Sequence, residues 1–445
     1  MRRKLLILSA AIAIFFLLAL AAGVAVFLSP LLTNYIEGDA FRTAMENETA
    51  KGLHFPRTHY APIRRTGTFT AQSESFQADN GQKAMKSLDA HGITAKFDPS
   101  GVFLRQWRID GVQVGAGEVE IQIYEAHPEA VAPKPRLAFL LPNRVYLKKI
   151  ESEQANITWR FRGERPGFFG TQLLITPNGP DFEYFATGGR LKMALVPDFD
   201  LRRAHILITK TLLTLYDLDL ASDSRSDESI RVQGQAGIGK DKSIDVKANF
   251  DRVAIRPWLP AQWEQSFSGS ASSEIHWRGE NPKLESSFGN GALRVSDGRV
   301  KNLSLLTELA EISRRKSLES LQLDDCSMRF TWRYPKIDIK DIAVEDKGKL
   351  RIEGDISVER RILRGTIQLG FTRRYLDWLP QAEEVFNRQR NGYLWTTVHL
   401  SGRIDEPGQD LSPRIIELFQ QSPGAYLQLL FRQFGDWLKK TLGGD

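Results

Sequence analysis

The chain contains a single cysteine, Cys326, among its 445 residues. One thiol can form no internal disulfide, and it excludes a zinc site built from several cysteines. Cys326 alternates with Met328, Phe330 and Trp332 along the chain, which is typical of the apolar face of a β-strand. The pattern therefore favours a buried, structural cysteine over a reactive thiol.

Familiar catalytic motifs are also missing. The chain has no Gly-x-Ser-x-Gly sequence, which argues against a serine hydrolase of that kind. Its histidines are scattered, and no two of them have the His-x-x-x-His spacing of a zinc site; they are His54, His59, His91, His127, His205, His276 and His399. Carboxylates at 198–203 and 321–325 are interpreted as solvated turn residues rather than as a glycosidase pair. We therefore predict no catalytic residue, no metal site and no cofactor.

One stretch has most of a nucleotide-binding loop. Gly234, Gly239 and Lys240 have the spacing G-x-x-x-x-G-K. However, Asp241 stands where a P-loop has Ser or Thr, and the following residues alternate between apolar and polar instead of starting a helix. A β-hairpin with a Gly-Lys-Asp-Lys turn explains the same residues, so we expect no nucleotide site.

Neither sign of charge dominates. The chain has 60 basic and 54 acidic residues, for a net charge of +6, and it contains no dense run of Lys or Arg. Nucleic acid is therefore not a favoured partner, and a mildly basic surface beside an anionic membrane is the more natural interpretation. Hydrophobic residues make up 42% of the chain, as in ordered proteins, and the length allows two or three domains or one elongated repetitive domain.

The longest apolar run lies at the N-terminus. No charged residue occurs between Leu5 and Ile36, and about 20 apolar residues suffice to cross a bilayer. We expect residues 1–4 to be cytoplasmic and residues 5–28 to be an uncleaved transmembrane anchor, with the rest of the chain beyond the membrane. A cleaved signal peptide is the alternative. The anchor residues that we single out are Leu5, Phe15, Phe16, Leu20 and Phe27.

Beyond the anchor, apolar and polar residues alternate in many short segments separated by Gly, Asp, Asn and Pro turns. A period of two is typical of strands with one apolar and one polar face, and it predicts antiparallel sheet. The apolar positions that we expect to form a continuous strip are Val119, Ile121, Ile123, Ile157, Trp159, Phe161, Val232, Ile244, Val246, Phe250, Met328, Phe330, Trp332, Leu350, Ile352, Ile356, Leu369, Phe371, Val398 and Leu400.

Several segments do not follow the strand pattern. Helical spacing is present at 35–55 and at 302–318, and a polar linker at 221–229 is expected to separate two β regions, 29–220 and 230–412. The final segment, 413–445, predicts an amphipathic helix. This helix either caps the sheet or binds a membrane surface or a partner.

The order of these patterns resembles the AsmA-like family of bacterial envelope proteins, which includes TamB-type proteins. The resemblance rests on the hairpin "VQGQAGIGKDKSIDVKANF", on "GALRVSDGRVKNLSLLTELAEI", on the strands of "LRIEGDISVERRILRGTIQLGF" and on the closing "LWTTVHLSGRIDEPGQDLSPRI". It is strongest over residues 232–412 and looser before them. No catalytic residue belongs to the family pattern.

The resemblance implies a mainly β fold, in which an elongated, curved antiparallel sheet forms an open groove. It implies anchoring in the bacterial inner membrane, with most of the chain in the periplasm, and an apolar groove that conducts phospholipid acyl chains towards the outer membrane. Membrane lipids and a partner in the periplasm or at the outer membrane are the partners implied. Two alternatives stay open. The first is a structural scaffold with a closed β-core, and the second is a non-enzymatic factor that helps outer-membrane proteins assemble by offering sheet edges.

Overall fold

The structure is a computed structural model that describes residues 30–421 with gaps. The gaps are 31–32, 83–84, 99, 101–105, 123–143, 161–162, 180, 194–195, 210, 223–226, 239–241, 260, 262, 282–283, 302–306, 308–309, 312, 314 and 405. The predicted anchor, with Leu5, Phe15, Phe16, Leu20 and Phe27, and most of the predicted C-terminal helix lie outside the described residues. None of the described helices is long and apolar enough to cross a membrane.

The described residues are predominantly β, which confirms the predicted fold class at that level. The strands are β1 Arg57–Tyr60, β2 Arg64–Gly67, β3 Thr70–Asp79, β4 Met85–Phe97, β5 Gln106–Ile121, β6 Arg144–Leu147, β7 Ile150–Trp159, β8 Gly167–Asn178, β9 Asp181–Thr187, β10 Arg190–Met193, β11 Val196–Ile208, β12 Leu212–Ser222, β13 Ser229–Gly237, β14 Ile244–Ala254, β15 Phe267–Gly279, β16 Ser287–Lys301, β17 Ser320–Leu323, β18 Asp325–Arg333, β19 Lys336–Asp346, β20 Leu350–Glu359, β21 Ile362–Thr372, β22 Arg388–Arg390, β23 Tyr393–Arg403 and β24 Glu406–Gln409. The α-helices described in full are α1 Asp39–Leu53, α2 Ala382–Val385 and α3 Leu411–Gln421.

Contacts divide the chain into two units, with the main boundary between Leu218 and Asp219. Ile238, in the hairpin between β13 and β14, groups with unit 1. In unit 1, β1 and β2 both pair with one side of β3, and β4 and β5 follow as antiparallel neighbours. The next neighbours of β5 are β6 and β7, and both are parallel to it. After β7 the pairing is antiparallel again, through β8 and then β9 and β10 to β11.

The parallel step in unit 1 corrects the expectation of a purely antiparallel sheet. Parallel neighbours need a crossover connection of about a dozen residues or more. The chain between Ile121 and Arg144 is long enough for one, and its Pro- and Ala-rich composition interrupts the strand pattern there.

Unit 2 is an antiparallel meander. Its neighbours run from β13 through β14, β15, β16, β18, β19, β20 and β21 to β23. Three short strands complete it: β17 pairs with the end of β16, and β22 and β24 pair with the two ends of β23. Short turns join most of these strands, because antiparallel neighbours need no crossover.

Helices cover part of each unit. The sequence predicted helical structure at 35–55, and α1 packs Phe41 against Ile63 and Ala71 in unit 1. In unit 2, Leu411, Ile415 and Leu418 of α3 belong to the core cluster of the sheet, because residues three and four apart share one face of a helix. Residues 413–421 of the predicted C-terminal segment therefore pack against the sheet as part of α3. Residues 422–445 lie outside the described residues, so the choice between a sheet cap and a membrane- or partner-binding helix stays a prediction.

Candidate functional site

Strand pairing in unit 2 aligns apolar residues in rows across the sheet. Residues directly opposite each other on paired strands project from the same face. One row contains Val232, Ala248, Ile275, Gly291, Phe330, Ile339, Ile356, Gly365 and Leu400. The next contains Gly234, Val246, Trp277, Gly289, Trp332, Ile337, Val358, Leu363 and Gly402. We call the face that carries these rows the apolar face of unit 2.

The unit 2 residues singled out from the sequence all lie on this face. They are Val232, Ile244, Val246, Phe250, Met328, Phe330, Trp332, Leu350, Ile352, Ile356, Leu369, Phe371, Val398 and Leu400. Bulges on β14, β16 and β19 interrupt the register, and each inserts an extra residue that keeps the apolar side chains on the same side. Ile337, Ile339 and Leu363 join the face although the sequence analysis did not single them out. Their alternation within "KIDIK" and "ILRG" is the signal that could have found them.

One end of the apolar face is filled, and we call it the filled end. Leu350 and Val398 are fully buried there, and Leu369 and Phe371 nearly so. Side chains of α3, together with Phe386 just after α2, belong to the same core cluster, and the Phe371 and Phe386 rings meet edge to face with centroids 5.8 Å apart. The expectation that these four residues line an accessible groove is therefore not met. At this end the structure corresponds to the closed core that the sequence left as an alternative.

The other end of the apolar face, which we call the open end, is not covered in this way. Val246, Trp277, Phe330 and Trp332 are only half-buried, and Ile337 is 44% exposed. Among the described residues, these five side chains neither belong to the core cluster of unit 2 nor pack against it. The open end therefore presents apolar side chains at the surface of the unit.

Aromatic rings form a platform at the open end. The Phe330 and Trp332 rings are stacked with centroids 6.1 Å apart. They lie across β16 at Gly289 and Gly291, where a Cβ atom would overlap the Trp332 and Phe330 rings respectively. The two glycines thus let the rings lie flat against the backbone of the neighbouring strand. The two rows contain only apolar side chains and glycines.

Unit 1 has a shorter apolar face of its own. Its rows place Leu88, Val119, Ile157 and Phe168 side by side, and beside them Met85, Ile121 and Trp159. The Trp159 and Phe168 rings are 6.2 Å apart, and Ile121 is exposed. The structure thus brings together the four described unit 1 residues predicted from the sequence, Val119, Ile121, Ile157 and Trp159. Ile123 and Phe161 lie outside the described residues.

The opposite face of unit 1 is polar and paired. Glu120 alternates with Val119 and Ile121, and its carboxylate accepts hydrogen bonds from Lys86 Nζ at 2.8 Å and from Arg160 Nε at 2.7 Å. The hydrogen bond from Lys86, and then that from Arg160, lower the pKa of Glu120 against the effect of its burial. The ion pair therefore stays charged at neutral pH and keeps this face hydrophilic.

Cys326 lies in the core of unit 2. Burial, and then the charge of Asp325, raise the pKa of its thiol to about 11. A thiol with so high a pKa is protonated at neutral pH and is a poor nucleophile. Among the described residues, no group of three or more His, Cys, Asp or Glu side chains is arranged to hold a metal ion.

Helix side chains protect the outer strands of both units. In unit 1, the N–H groups of Tyr60 and Arg65 donate to carboxylates that precede or belong to α1, those of Glu46 at 2.9 Å and Glu37 at 3.0 Å. These bonds occupy donors that an added strand would otherwise use.

In unit 2, β21 pairs with one side of β23 along its length. On the other side, β22 and β24 pair with the two ends of β23 and, among the described strands, leave its middle unpaired. There the His399 N–H donates to Asp410 Oδ1 at 2.8 Å, and Arg414 of α3 donates to the Thr397 carbonyl. At these four positions, the backbone groups that an added strand would use are already bonded.

The stretch that resembles a P-loop forms a hairpin, as predicted. β13 and β14 pair without a break from Ser229 and Asp251 to Ala236 and Ile244. The Gly237 N–H donates to the Ser243 carbonyl at 2.7 Å and continues the ladder towards the turn. Residues 239–241 lie outside the described part, but the strand that follows them is not the helix that a phosphate loop needs.

The chain matches no family model, no curated protein and no solved structure.

Proposed function

We propose that this protein is an inner-membrane-anchored, periplasmic protein of cell-envelope biogenesis, related to the AsmA-like family. In this proposal it holds phospholipid acyl chains on the apolar faces of its sheets and conducts them towards the outer membrane. It acts without a catalytic residue or cofactor. The observation that carries the proposal is the open end of the apolar face of unit 2, where the stacked rings of the aromatic platform are only half-buried among the described residues.

The chemistry of the platform suits an acyl chain. Its two rows contain only apolar side chains and glycines, so a polar ligand would find no hydrogen-bond partner among them. An alkyl chain gains about 0.8 kcal/mol for each methylene group removed from water. Several methylene groups lying across Phe330 and Trp332 thus give useful affinity, without any requirement for a particular headgroup.

The two alternatives receive different support. Strand addition to a nascent outer-membrane protein needs an unprotected edge. Backbone groups of β1, of the middle of β23 and of Arg65 in β2 are instead bonded to side chains of α1 and α3 or of residues just before these helices. A closed structural core describes the filled end of unit 2 well. It does not explain the half-buried platform at the open end, so we favour lipid handling.

A site-specific photo-crosslink in the full chain tests the proposal. A photo-reactive amino acid replaces Trp332 in the platform or, as the matched control, Thr331, which is exposed on the opposite face of the same strand. Irradiation in cells, followed by mass spectrometry, should find phospholipid attached at position 332 and little at position 331. Equal labelling at the two positions, or none at 332, would contradict the proposal.

A charge placed on the face provides a second test. Val246→Asp introduces a carboxylate at the open end, whereas Asn249→Asp introduces the same group on the opposite face of the same strand. We expect Val246→Asp to lose most of the phospholipid crosslink at position 332 and Asn249→Asp to keep it. Lipid labelling that survives in folded Val246→Asp protein would show that the platform is not the binding surface.

A further inference from the structure

Three hairpin turns of unit 2 lie side by side at the open end of its apolar face. They join β18 to β19, β20 to β21 and β23 to β24. Backbone hydrogen bonds connect them: the Arg360 N–H donates to the Pro335 carbonyl at 3.4 Å, and the Ile404 N–H donates to the Arg361 carbonyl at 3.0 Å. We call the surface formed by residues 333–337, 359–362, 403 and 404 the hairpin-tip surface.

The hairpin-tip surface exposes large apolar side chains. Tyr334, Ile337, Ile362 and Ile404 are each between 43% and 48% exposed. A single exposed hydrophobic residue is ordinary, but several on adjacent turns form a patch, and such patches mark interaction sites. Ile337 lies opposite Trp332, so the patch adjoins the aromatic platform there. Ile362 pairs with Glu359 and Arg403 and lies on the opposite face, so the patch wraps around the tips of the hairpins.

Basic side chains surround these apolar residues. Arg333, Lys336, Arg360, Arg361 and Arg403 are all exposed on the same turns. These five basic residues outnumber the carboxylates of the same segments, which are Asp338, Glu359 and Glu406 among the described residues and Asp405 in the sequence. Lys336 Nζ lies 2.8 Å from Asp338 Oδ1, so this charge is partly balanced. Apolar side chains that enter the acyl boundary, ringed by arginines that reach phosphate groups, are the composition of surfaces that bind anionic bilayers.

The turn between β20 and β21, at the centre of the surface, contains residues that are unfavourable for its backbone conformation. Glu359 pairs with Ile362, so Arg360 and Arg361 alone form the loop, with φ of 48° and 71°. A two-residue loop with both residues in the left-handed region normally carries Asn-Gly, because side chains with a Cβ are strained there. Two arginines keep the strain and place two charges at the apex. Strain of this kind is typical of functional positions.

We propose that the hairpin-tip surface docks on a bilayer that contains anionic phospholipid. Docking is a membrane contact separate from the predicted N-terminal anchor. It places the open end of the apolar face against the acyl region of that bilayer. The proposal does not require that lipid is held on the platform, so the two can fail independently.

The strained turn allows a test in which loss of folding cannot be mistaken for loss of docking. The predicted N-terminal anchor of the full chain is inserted into nanodiscs of neutral phosphatidylcholine, so that it cannot insert into other membranes. Co-flotation of the protein with added vesicles is then measured. The vesicles contain phosphatidylcholine alone or phosphatidylcholine with phosphatidylglycerol. We expect binding to the anionic vesicles only, and binding that weakens as salt is added.

The decisive variant is Arg360→Asn combined with Arg361→Gly. It supplies the residues that the turn geometry prefers, so its thermal stability should rise. Each basic residue close to an anionic surface strengthens binding about fivefold, so the affinity for anionic vesicles should fall about 25-fold. The matched control is Arg299→Gln with Lys301→Gln. It removes the same charge from exposed positions at the end of β16 that lies away from the hairpin-tip surface, and it should bind like the parent chain.

Two outcomes overturn the proposal. The first is that the Asn-Gly variant binds anionic vesicles as tightly as the parent chain does. The second is that the parent chain binds neutral and anionic vesicles equally, or binds neither. The patch would then be a surface for a protein partner rather than for a bilayer. If the Asn-Gly variant loses docking but keeps the photo-crosslink at position 332, docking and lipid holding are separate properties and both proposals stand.

Discussion

The filled and open ends of the apolar face of unit 2 share one pattern of alternation and differ in what covers them. Leu350 and Leu369 at the filled end alternate with polar residues just as Phe330 and Trp332 do at the open end. At the filled end α3 and Phe386 complete a core. At the open end the side chains remain half-buried. A period of two therefore identifies a face, but it does not say whether that face becomes a core or a surface.

The largest difference between the two ends should appear in stability. Leu369→Ala removes a side chain from a filled core, and substitutions of this kind reduce the free energy of unfolding by about 2–5 kcal/mol. Trp332→Ala at the open end should cost clearly less, because its ring is only half-buried. Urea unfolding of both variants measures the difference. Equal losses would mean that the open end is packed as tightly as the filled end.

A smaller effect is expected from a side chain added beneath the platform. Gly289→Val places methyl groups where the Trp332 ring lies, and we expect a loss of about 1–3 kcal/mol, as in overpacked cores, together with a displaced ring. Trp fluorescence and urea unfolding report the two effects. Gly408→Val on β24 is the control, since a Cβ there stays beyond 3 Å of its neighbours. An undisturbed platform in Gly289→Val would show that the rings are free to move aside.

Acid should weaken the attachment of α3 at the filled end. Burial raises the pKa of Asp410, but hydrogen bonds from the His399 ring and backbone N–H outweigh it and hold that pKa below its usual range. A lowered carboxylate pKa stabilises the fold above the unfolded value of about 3.9 and ceases to do so as the pH falls through the folded value.

The parent chain should therefore lose stability below about pH 4 more steeply than an Asp410→Asn variant does. Unfolding midpoints measured between neutral pH and pH 3 give the two slopes. If the two slopes are the same, Asp410 does not contribute to the attachment of α3. The fluorescence of Trp332 in the platform should stay constant over this pH range, because Asp410 contacts β23 and α3 rather than β16 or β18.

The smallest effect on stability is expected at the exposed margin of the open end. Ile337→Ser changes a side chain that is 44% exposed, so the free energy of unfolding should change by about 0.5 kcal/mol or less. The same variant should weaken vesicle docking, because it removes an apolar residue from the hairpin-tip surface. A large loss of stability would show that Ile337 contributes to a core.

The strand pattern predicted much of unit 2 because each strand pairs with one that is near it in the sequence. Alternation around Val246, Phe330 and Ile352 is sufficient to assign a common face when the intervening turns are short. The parallel neighbours β5 and β7 were not predicted, because a crossover leaves no periodic signal. The platform was also missed. Its flatness depends on Gly289 and Gly291, which matter only because a neighbouring strand brings aromatic rings over them.

The sequence by itself determined that the described chain is mainly β, that one face of its strands is apolar and that Gly234 belongs to a hairpin. Each of these follows from local periodicity and from turns between neighbouring strands. The tertiary structure alone decided which apolar residues are covered. Coverage depends on where α3 and Phe386 pack, and on side chains such as Asp410 and Arg414 that hold α3 against β23. These contacts join residues that are distant in the pattern, so no local rule could assign Leu369 to a core and Trp332 to a surface.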